Sequence, residues 1–251
     1  MYITDNKDFY PTPDSLIRKM CDKINWNTVS TVLEPSAGKG DIVKHLNNGK
    51  LDIDCIEADS NIRAILMHTF SEKNRKQIRE QFEEIANKYP DFDRWARGNN
   101  YTYYIQGKKM PVPEPDRSRL AELDRLTEKV NPDNVHVIHD DFLTFTAYKT
   151  YNAIIMNPPF SSGDKHLLKA LDIQKYGGQI CCILNAETIR NTYSESRKNL
   201  LDRLKAYDAE IEYVSDAFMT ADTERKTDVE IAIVYVNIPY TADDESIFER
   251  M

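Results

Sequence analysis

No stretch of this chain is apolar for anything near the twenty or so residues that a membrane-spanning helix needs. The opening segment, MYITDNKDFYPTPD, has neither the basic start nor the apolar run of a secretory signal. Cysteine is scarce. Of the four (Cys21, Cys55, Cys181 and Cys182), none forms a CxxC pair, and the last two are adjacent inside an apolar run. That pattern excludes a zinc site or a disulfide framework and predicts buried, reduced thiols in a cytoplasmic protein. Internal repeats and low-complexity tracts are absent. Basic residues are outnumbered, 33 Lys and Arg against 41 Asp and Glu, for a net charge of −8. Phosphate binding over the whole surface is therefore not expected, although a local basic face can still hold a duplex. Neither a metal nor a membrane is expected as a partner.

What is present is an ordinary soluble composition: 251 residues, 41% hydrophobic and 29% charged, enough for one large domain with an inserted piece. Short apolar, β-branched runs recur at 31–34, 53–58, 135–140, 152–156, 179–185, 211–215 and 229–238. Runs apolar at successive positions read as strands buried on both faces. Helical patterns lie between them at 14–24, 41–47, 61–70, 165–173 and 194–207. The alternation predicts an α/β chain: a Rossmann-like, doubly wound, mostly parallel sheet. The last two strands have no helix between them, which predicts a C-terminal antiparallel hairpin.

One segment breaks the rhythm. Residues 71–133 show no strong strand signal and are far longer than a simple crossover requires. Ile78, Phe82, Ile85 and Tyr89 fall on one helical face, and so do Leu120, Leu123, Leu126 and Val130. This predicts an inserted helical hairpin within a single domain, 1–251. Its tip, RWARGNNYTYYIQGKKM (94–110), carries Arg94, Arg97, Lys108 and Lys109, interleaved with Trp95, Tyr101, Tyr103 and Tyr104, and no carboxylate. Basic and aromatic side chains in alternation suit phosphate contact and base stacking, so the tip is a possible target-recognition element. The plainer alternative is a tip that packs on the domain.

After the first strand comes LEPSAGKGDI (33–42). Gly38 and Gly40 permit a tight turn and a close backbone approach, with a helix opening at Asp41. Glu57, at the tip of the second strand, can accept from two ribose hydroxyls. This pairing points to an adenosine-containing cofactor. Val43 stands where a dinucleotide fingerprint has its third glycine, which favours a cofactor without pyrophosphate. HDDFL (139–143) closes a further strand, where Asp141 can accept from an adenine amine and Phe142 can pack on its ring. A helix cap followed by a core Phe is the other reading of that pair.

The stretch AIIMNPPFSS (153–162) runs four apolar residues into Asn157, Pro158, Pro159 and Phe160. Proline lacks the N–H that a central ladder needs, so the strand stops at Met156 and a rigid loop follows.

Together these segments resemble the class I S-adenosylmethionine-dependent methyltransferases, specifically the N6-adenine DNA methyltransferases of the NPPF type. The likeness runs in order through FYPTP (9–13), LEPSAGKGD (33–41), IEADSN (56–61), HDDFL and NPPF. It implies S-adenosylmethionine as cofactor and double-stranded DNA as partner. Tyr10, Thr12 and Pro13 match the segment folded over the methionine end, and Glu34, Pro35, Ser36, Ala37, Gly38 and Gly40 match the loop beneath it. Glu57 with Ala58 matches the ribose site, Asp141 with Phe142 the adenine contacts, and Asn157 to Phe160 the catalytic loop. Lys39 stands where the family more often has a small hydroxyl residue.

In such a loop the Asn157 side-chain oxygen and the Pro158 carbonyl accept from the two hydrogens of a planar amine, and Phe160 offers a face to an extruded base. Phe218 is the candidate for a second wall of that base pocket. The same loop geometry serves amines in RNA, in cytosine N4 and in a protein glutamine. A non-catalytic, DNA-binding partner subunit is the alternative of a different class. The chain is short for a methyltransferase with a separate recognition domain, so either residues 71–133 or a second subunit must read the target.

Overall fold

The structure, a computed structural model, describes residues 10–47, 49–92, 101–129, 134–215, 217–218 and 229–240. Helix α1 (Asp14–Lys23) starts where the Pro13 carbonyl accepts from the N–H groups of Leu16 and Ile17, and it buries Leu16, Ile17 and Met20. Strand β1 (Thr31–Glu34) follows, then the short α2 (Asp41–Leu46), β2 (Asp52–Ile56) and α3 (Ser60–Thr69). Asp59 caps α3 by accepting from the N–H groups of Asn61 and Ile62. Beyond the segment that interrupts the alternation lie β5 (Val135–His139), β6 (Ala153–Met156), α6 (Gly163–Ile173), β7 (Gly178–Asn185), α7 (Ala186–Arg190), α8 (Glu195–Ala206), β8 (Glu210–Val214) and β9 (Ile231–Ile238).

Seven strands form one sheet in the order β5-β2-β1-β6-β7-β9-β8. The first five are mutually parallel, while β9 inserts antiparallel between β7 and β8. The expected doubly wound sheet and C-terminal antiparallel hairpin are therefore both present. Because β6, β7 and β9 are buried along nearly their whole length, the sheet must be covered on both faces. One face packs on α1, α2 and α3 through residues such as Met20, Val43 and Leu66, and the other on α6 and α8 through Leu167, Leu171 and Leu200. Each of these side chains contributes roughly 1.5–3 kcal/mol of burial.

Winding turns back at β1. The chain moves outward from β1 to β2 and β5, then returns to lay β6 on the other side of β1, so that Val32 lies between Ile53 and Ala153. Connections leave in opposite directions at that point and open a crevice over the carboxyl ends of the strands.

The interrupting segment is a small unit with its own core. Helices α4 (Glu72–Ala86) and α5 (Glu114–Lys129) flank strands β3 (Thr102–Ile105) and β4 (Lys108–Pro111), and Ile78, Ile85, Tyr101, Val112, Leu120 and Leu123 are buried between them. The two expected helices exist, but a β-hairpin joins them where no strand was expected. Gln106 and Gly107 both take positive φ, 52° and 74°, the backbone of a two-residue type I′ turn. Strands of four residues, TYYI and KKMP, are too short to show an alternation. Leu126 also departs from its expected place and is exposed. Among the described residues no helix is long and apolar enough to cross a membrane.

Candidate active site

The carboxyl ends of β5, β2, β1 and β6 lie side by side, and at about 4.8 Å per strand gap they span roughly 14 Å. A cavity of about 740 Å³, open mouth included, runs along these ends. Asp140, Asp141 and Phe142 line it beyond β5, Glu57 and Ala58 beyond β2, and Pro35 to Gly38 beyond β1. Asn157 and Pro159 complete it beyond β6, with Tyr10, Pro11 and Thr12 laid across from the N-terminal segment. Segments scattered over 150 positions of sequence thus meet because four parallel strands end at one level.

Glu57 ties two of those segments together. One carboxylate oxygen accepts from the Gly38 N–H at 2.7 Å and the other from the Asp59 N–H at 2.8 Å. Each oxygen keeps a second lone pair for a ligand. Burial raises the carboxyl above its ordinary pKa, while the two N–H donors and Arg63 act in the opposite direction. Beneath the same loop Glu34 is fully buried, and neither of its oxygens closes a hydrogen bond among the described residues. The Ser36 N–H favours the charged form of Glu34, and the Ser36 hydroxyl is also buried and, among the described residues, without a partner. Desolvation, with the charge of Glu57 nearby, pushes Glu34 well above the usual carboxylate range.

The cavity carries an electrostatic signature. Asp41, Glu57, Asp140 and Asp141 line it, with no Lys or Arg among its described residues. A ligand bearing phosphates would be repelled there, whereas one bearing positive charge would be held.

At the other end the Asn157 amide has a determined orientation. Its nitrogen donates to the Tyr10 carbonyl at 3.1 Å and to the Thr12 hydroxyl at 3.0 Å. Because a carbonyl can only accept, the group facing Tyr10 must be the NH₂, and both its hydrogens are used. The side-chain oxygen is left to accept. Beside it Phe160 stacks on the Tyr10 ring, centroids 5.4 Å apart and planes 20° apart, and meets Phe218 edge-on at 6.0 Å.

No protein-family signature matches the sequence, and no curated protein sequence matches it. Solved structures do. A dimethyladenosine transferase from Plasmodium falciparum superposes with a TM-score of 0.52 at 12% identity, over 95% of this chain and 64% of that one. An O-methyltransferase from Bacillus cereus gives 0.47 at 11% identity, over 90% and 83% of the two chains. An N-methyltransferase from Bradyrhizobium japonicum gives 0.47 at 9%, over 90% and 95%. The fold is that of the class I methyltransferases.

Within this class I methyltransferase fold, several residues singled out from the sequence lie off the cavity. Gly40 does not line it. With φ at 86°, a Cβ there would come within 2.8 Å of Leu66 and Phe70, so this glycine makes a tight turn and lets α2 pack on α3. Gly38, with φ at 55°, is the loop's other positive-φ position and does line the cavity. Pro13 starts α1, and Glu34 lies under the floor. Pro158 is buried behind the loop, and Phe160 is turned to Tyr10. Phe218 is fully buried against Tyr10 and Phe160, so its ring has no open face for a base in this arrangement. The basic tip divides as well. Tyr101 is buried and donates to Asp124, and Tyr103 packs on Tyr89, so neither is free to stack on a base. Tyr104 pairs across the hairpin with Lys109 on its other face, with Lys108 and Lys109 exposed. Arg94, Trp95 and Arg97 lie outside the described residues.

Sequence reasoning missed Asp41, Asp140 and His166, all of which line the cavity. Asp41 and Asp140 stood next to motif residues and were legible as carboxylates near the loops. His166 was not, because it reaches the cavity from the first turns of α6.

Proposed function

We propose that this chain transfers a methyl group from S-adenosylmethionine to the N6 amine of adenine in DNA. The observation that carries the reading is the orientation of Asn157: both amide hydrogens are engaged by Tyr10 and Thr12, which leaves its oxygen as a fixed acceptor at the mouth of an acidic cavity.

The cavity suits this cofactor on three counts. Glu57 has one free lone pair on each oxygen for a pair of ribose hydroxyls. Phe142 and Asp141 supply a ring and an acceptor for adenine. Four lining carboxylates suit a ligand that carries ammonium and sulfonium charges and no phosphate. When bound, S-adenosylmethionine supplies an activated methyl group on a positive sulfur.

The chain's own residues then have a limited task. The Asn157 oxygen and the Pro158 carbonyl accept from the two amine hydrogens, which directs the nitrogen lone pair toward the methyl group. Two consecutive prolines hold those acceptors before substrate arrives, so reorganisation is small. Phe160 receives the extruded base on its ring once Tyr10 shifts from it. Thr12 and Tyr10 keep Asn157 in place throughout. The α4-β3-β4-α5 unit, with Lys108, Lys109 and Tyr104 facing outward, supplies contacts to the nucleic acid.

The choice of DNA rests on the pairing of FYPTP with NPPF and on this appended unit. RNA adenine, cytosine N4 and protein glutamine offer the same planar amine. The test is methyl-labelled S-adenosylmethionine with unmethylated DNA, total RNA and a protein extract in separate reactions, followed by digestion and identification of the product. N6-methyladenine in DNA is expected. Label confined to RNA, N4-methylcytosine or glutamine would replace the substrate while keeping the chemistry. No transfer at all, with S-adenosylhomocysteine still bound, would indicate a non-catalytic partner subunit.

A further inference from the structure

His166 is 8% exposed, sits in the first turns of α6, and lines the cavity at its β5 end. Its ring lies 5.7 Å from that of Phe142, which neighbours Asp141. Nδ1 lies 2.9 Å from the Ser162 carbonyl oxygen. A carbonyl cannot donate, so Nδ1 carries the proton and Nε2 of the neutral ring is a lone-pair acceptor. Among the described residues nothing occupies that acceptor. An acceptor with no protein partner, held rigid in a largely buried ring on a cavity wall, is suited to a ligand donor.

We propose that His166 Nε2 accepts a hydrogen bond from the exocyclic amine of the cofactor's adenine, so that it and Asp141 together select a 6-amino purine over a 6-oxo one. This rests on the cofactor assignment above. An adenine amine has two hydrogens, and the β5 end of the cavity presents two acceptors on separate elements. A hypoxanthine ring would place its own oxygen against the Nε2 lone pair, acceptor facing acceptor. Protonation of His166 would convert Nε2 into a donor and remove the contact. Burial keeps the ring below its ordinary pKa, against Asp141 and Asp164, which favour the charged form. Asp140 and Glu57 face the same cavity. Binding should therefore weaken only as pH falls below the usual histidine value of about 6.5.

The experiment is calorimetric titration of S-adenosylhomocysteine and S-inosylhomocysteine into the wild type, His166→Phe and His166→Gln, with circular dichroism to confirm folding. The wild type should prefer the adenine ligand. His166→Phe should reduce that preference about fivefold, the worth of one neutral hydrogen bond. His166→Gln, which keeps an acceptor, should retain most of it. From about pH 8 to about pH 5.5 the wild type should lose affinity more steeply than His166→Gln, in which Glu57 still titrates but the imidazole is gone. In the ligand-free protein, ¹⁵N shifts of His166 should show a protonated Nδ1 and a bare Nε2. An unchanged preference in His166→Phe, parallel pH profiles, or a proton on Nε2 would overturn the proposal alone. Failure of the folded wild type to bind S-adenosylhomocysteine would overturn it together with the cofactor assignment.

Discussion

The side-chain nitrogen of Asn157 donates to the hydroxyl of Thr12 at 3.0 Å, across 145 positions of sequence. The bond joins the N-terminal segment to the loop after β6, and with the Tyr10 carbonyl it decides which way the amide points. Thr12→Ala should therefore lower single-turnover methyl transfer about fivefold, one hydrogen bond's worth, with S-adenosylhomocysteine affinity nearly unchanged. Thr12→Ser should restore the rate. Asn157→Ala should abolish transfer while cofactor affinity is largely kept. Asn157→Asp should be as inactive, because a carboxylate facing the Tyr10 carbonyl has no hydrogen to give.

Tyr10 separates two effects within one residue. Its carbonyl holds Asn157 whatever the side chain, while its ring covers Phe160. Tyr10→Ala should keep the amide orientation and open the Phe160 face. Rates should fall less than tenfold, against a loss of a thousandfold or more in Asn157→Ala, as expected for a positioning contact compared with a group acting on the reacting amine. Equal losses in the two variants would mean that the ring itself is needed for transfer.

Glu34 links stability to ligand binding. Its carboxyl is held well above the ordinary range by burial, so between those two values the folded state keeps a proton that the unfolded chain has lost. Stability contributed by that proton is present at low pH and declines as pH rises through this window. Glu34→Gln removes the decline. The ligand-free variant should melt a few degrees higher than the wild type at about pH 8, with a flatter pH profile, yet bind S-adenosylmethionine at least tenfold more weakly. Melting curves across pH, with titration of both forms, test the two halves separately.

Lys108 and Lys109 are exposed on β4, whereas Tyr101 is buried in the same unit. Reversing both lysines to Glu should weaken DNA binding and flatten its dependence on salt by about one unit of log-log slope per lost phosphate contact, without changing stability. Tyr101→Phe should do the opposite. It removes the hydroxyl bond to Asp124, destabilises the unit by about 1 kcal/mol, and leaves DNA affinity alone. DNA affinity that ignores both lysines at every salt concentration would remove the unit from the binding surface.

Local information was enough for much of this. Apolar runs such as QICCILN had to be strands covered on both faces, and two prolines after AIIM had to end a strand in a rigid loop, because these consequences follow from backbone chemistry within a few residues. The acid at the tip of the second strand and the glycine loop were legible in the same way. Gly40 was legible only in part: its positive φ makes the expected tight turn, but its packing reason lies in a helix some 26 positions away, in Leu66 and Phe70. The β3-β4 hairpin was not legible, since its short strands are stabilised by the core between α4 and α5 more than by their own alternation. Tyr101 and Tyr103 read as an exposed aromatic set until that core claimed them. Tertiary structure alone decided the orientation of the Asn157 amide, the isolation of Glu34 and the arrival of His166 beside Phe142. Each depends on which groups meet when four parallel strands end at one level, and a one-dimensional pattern does not carry that distance.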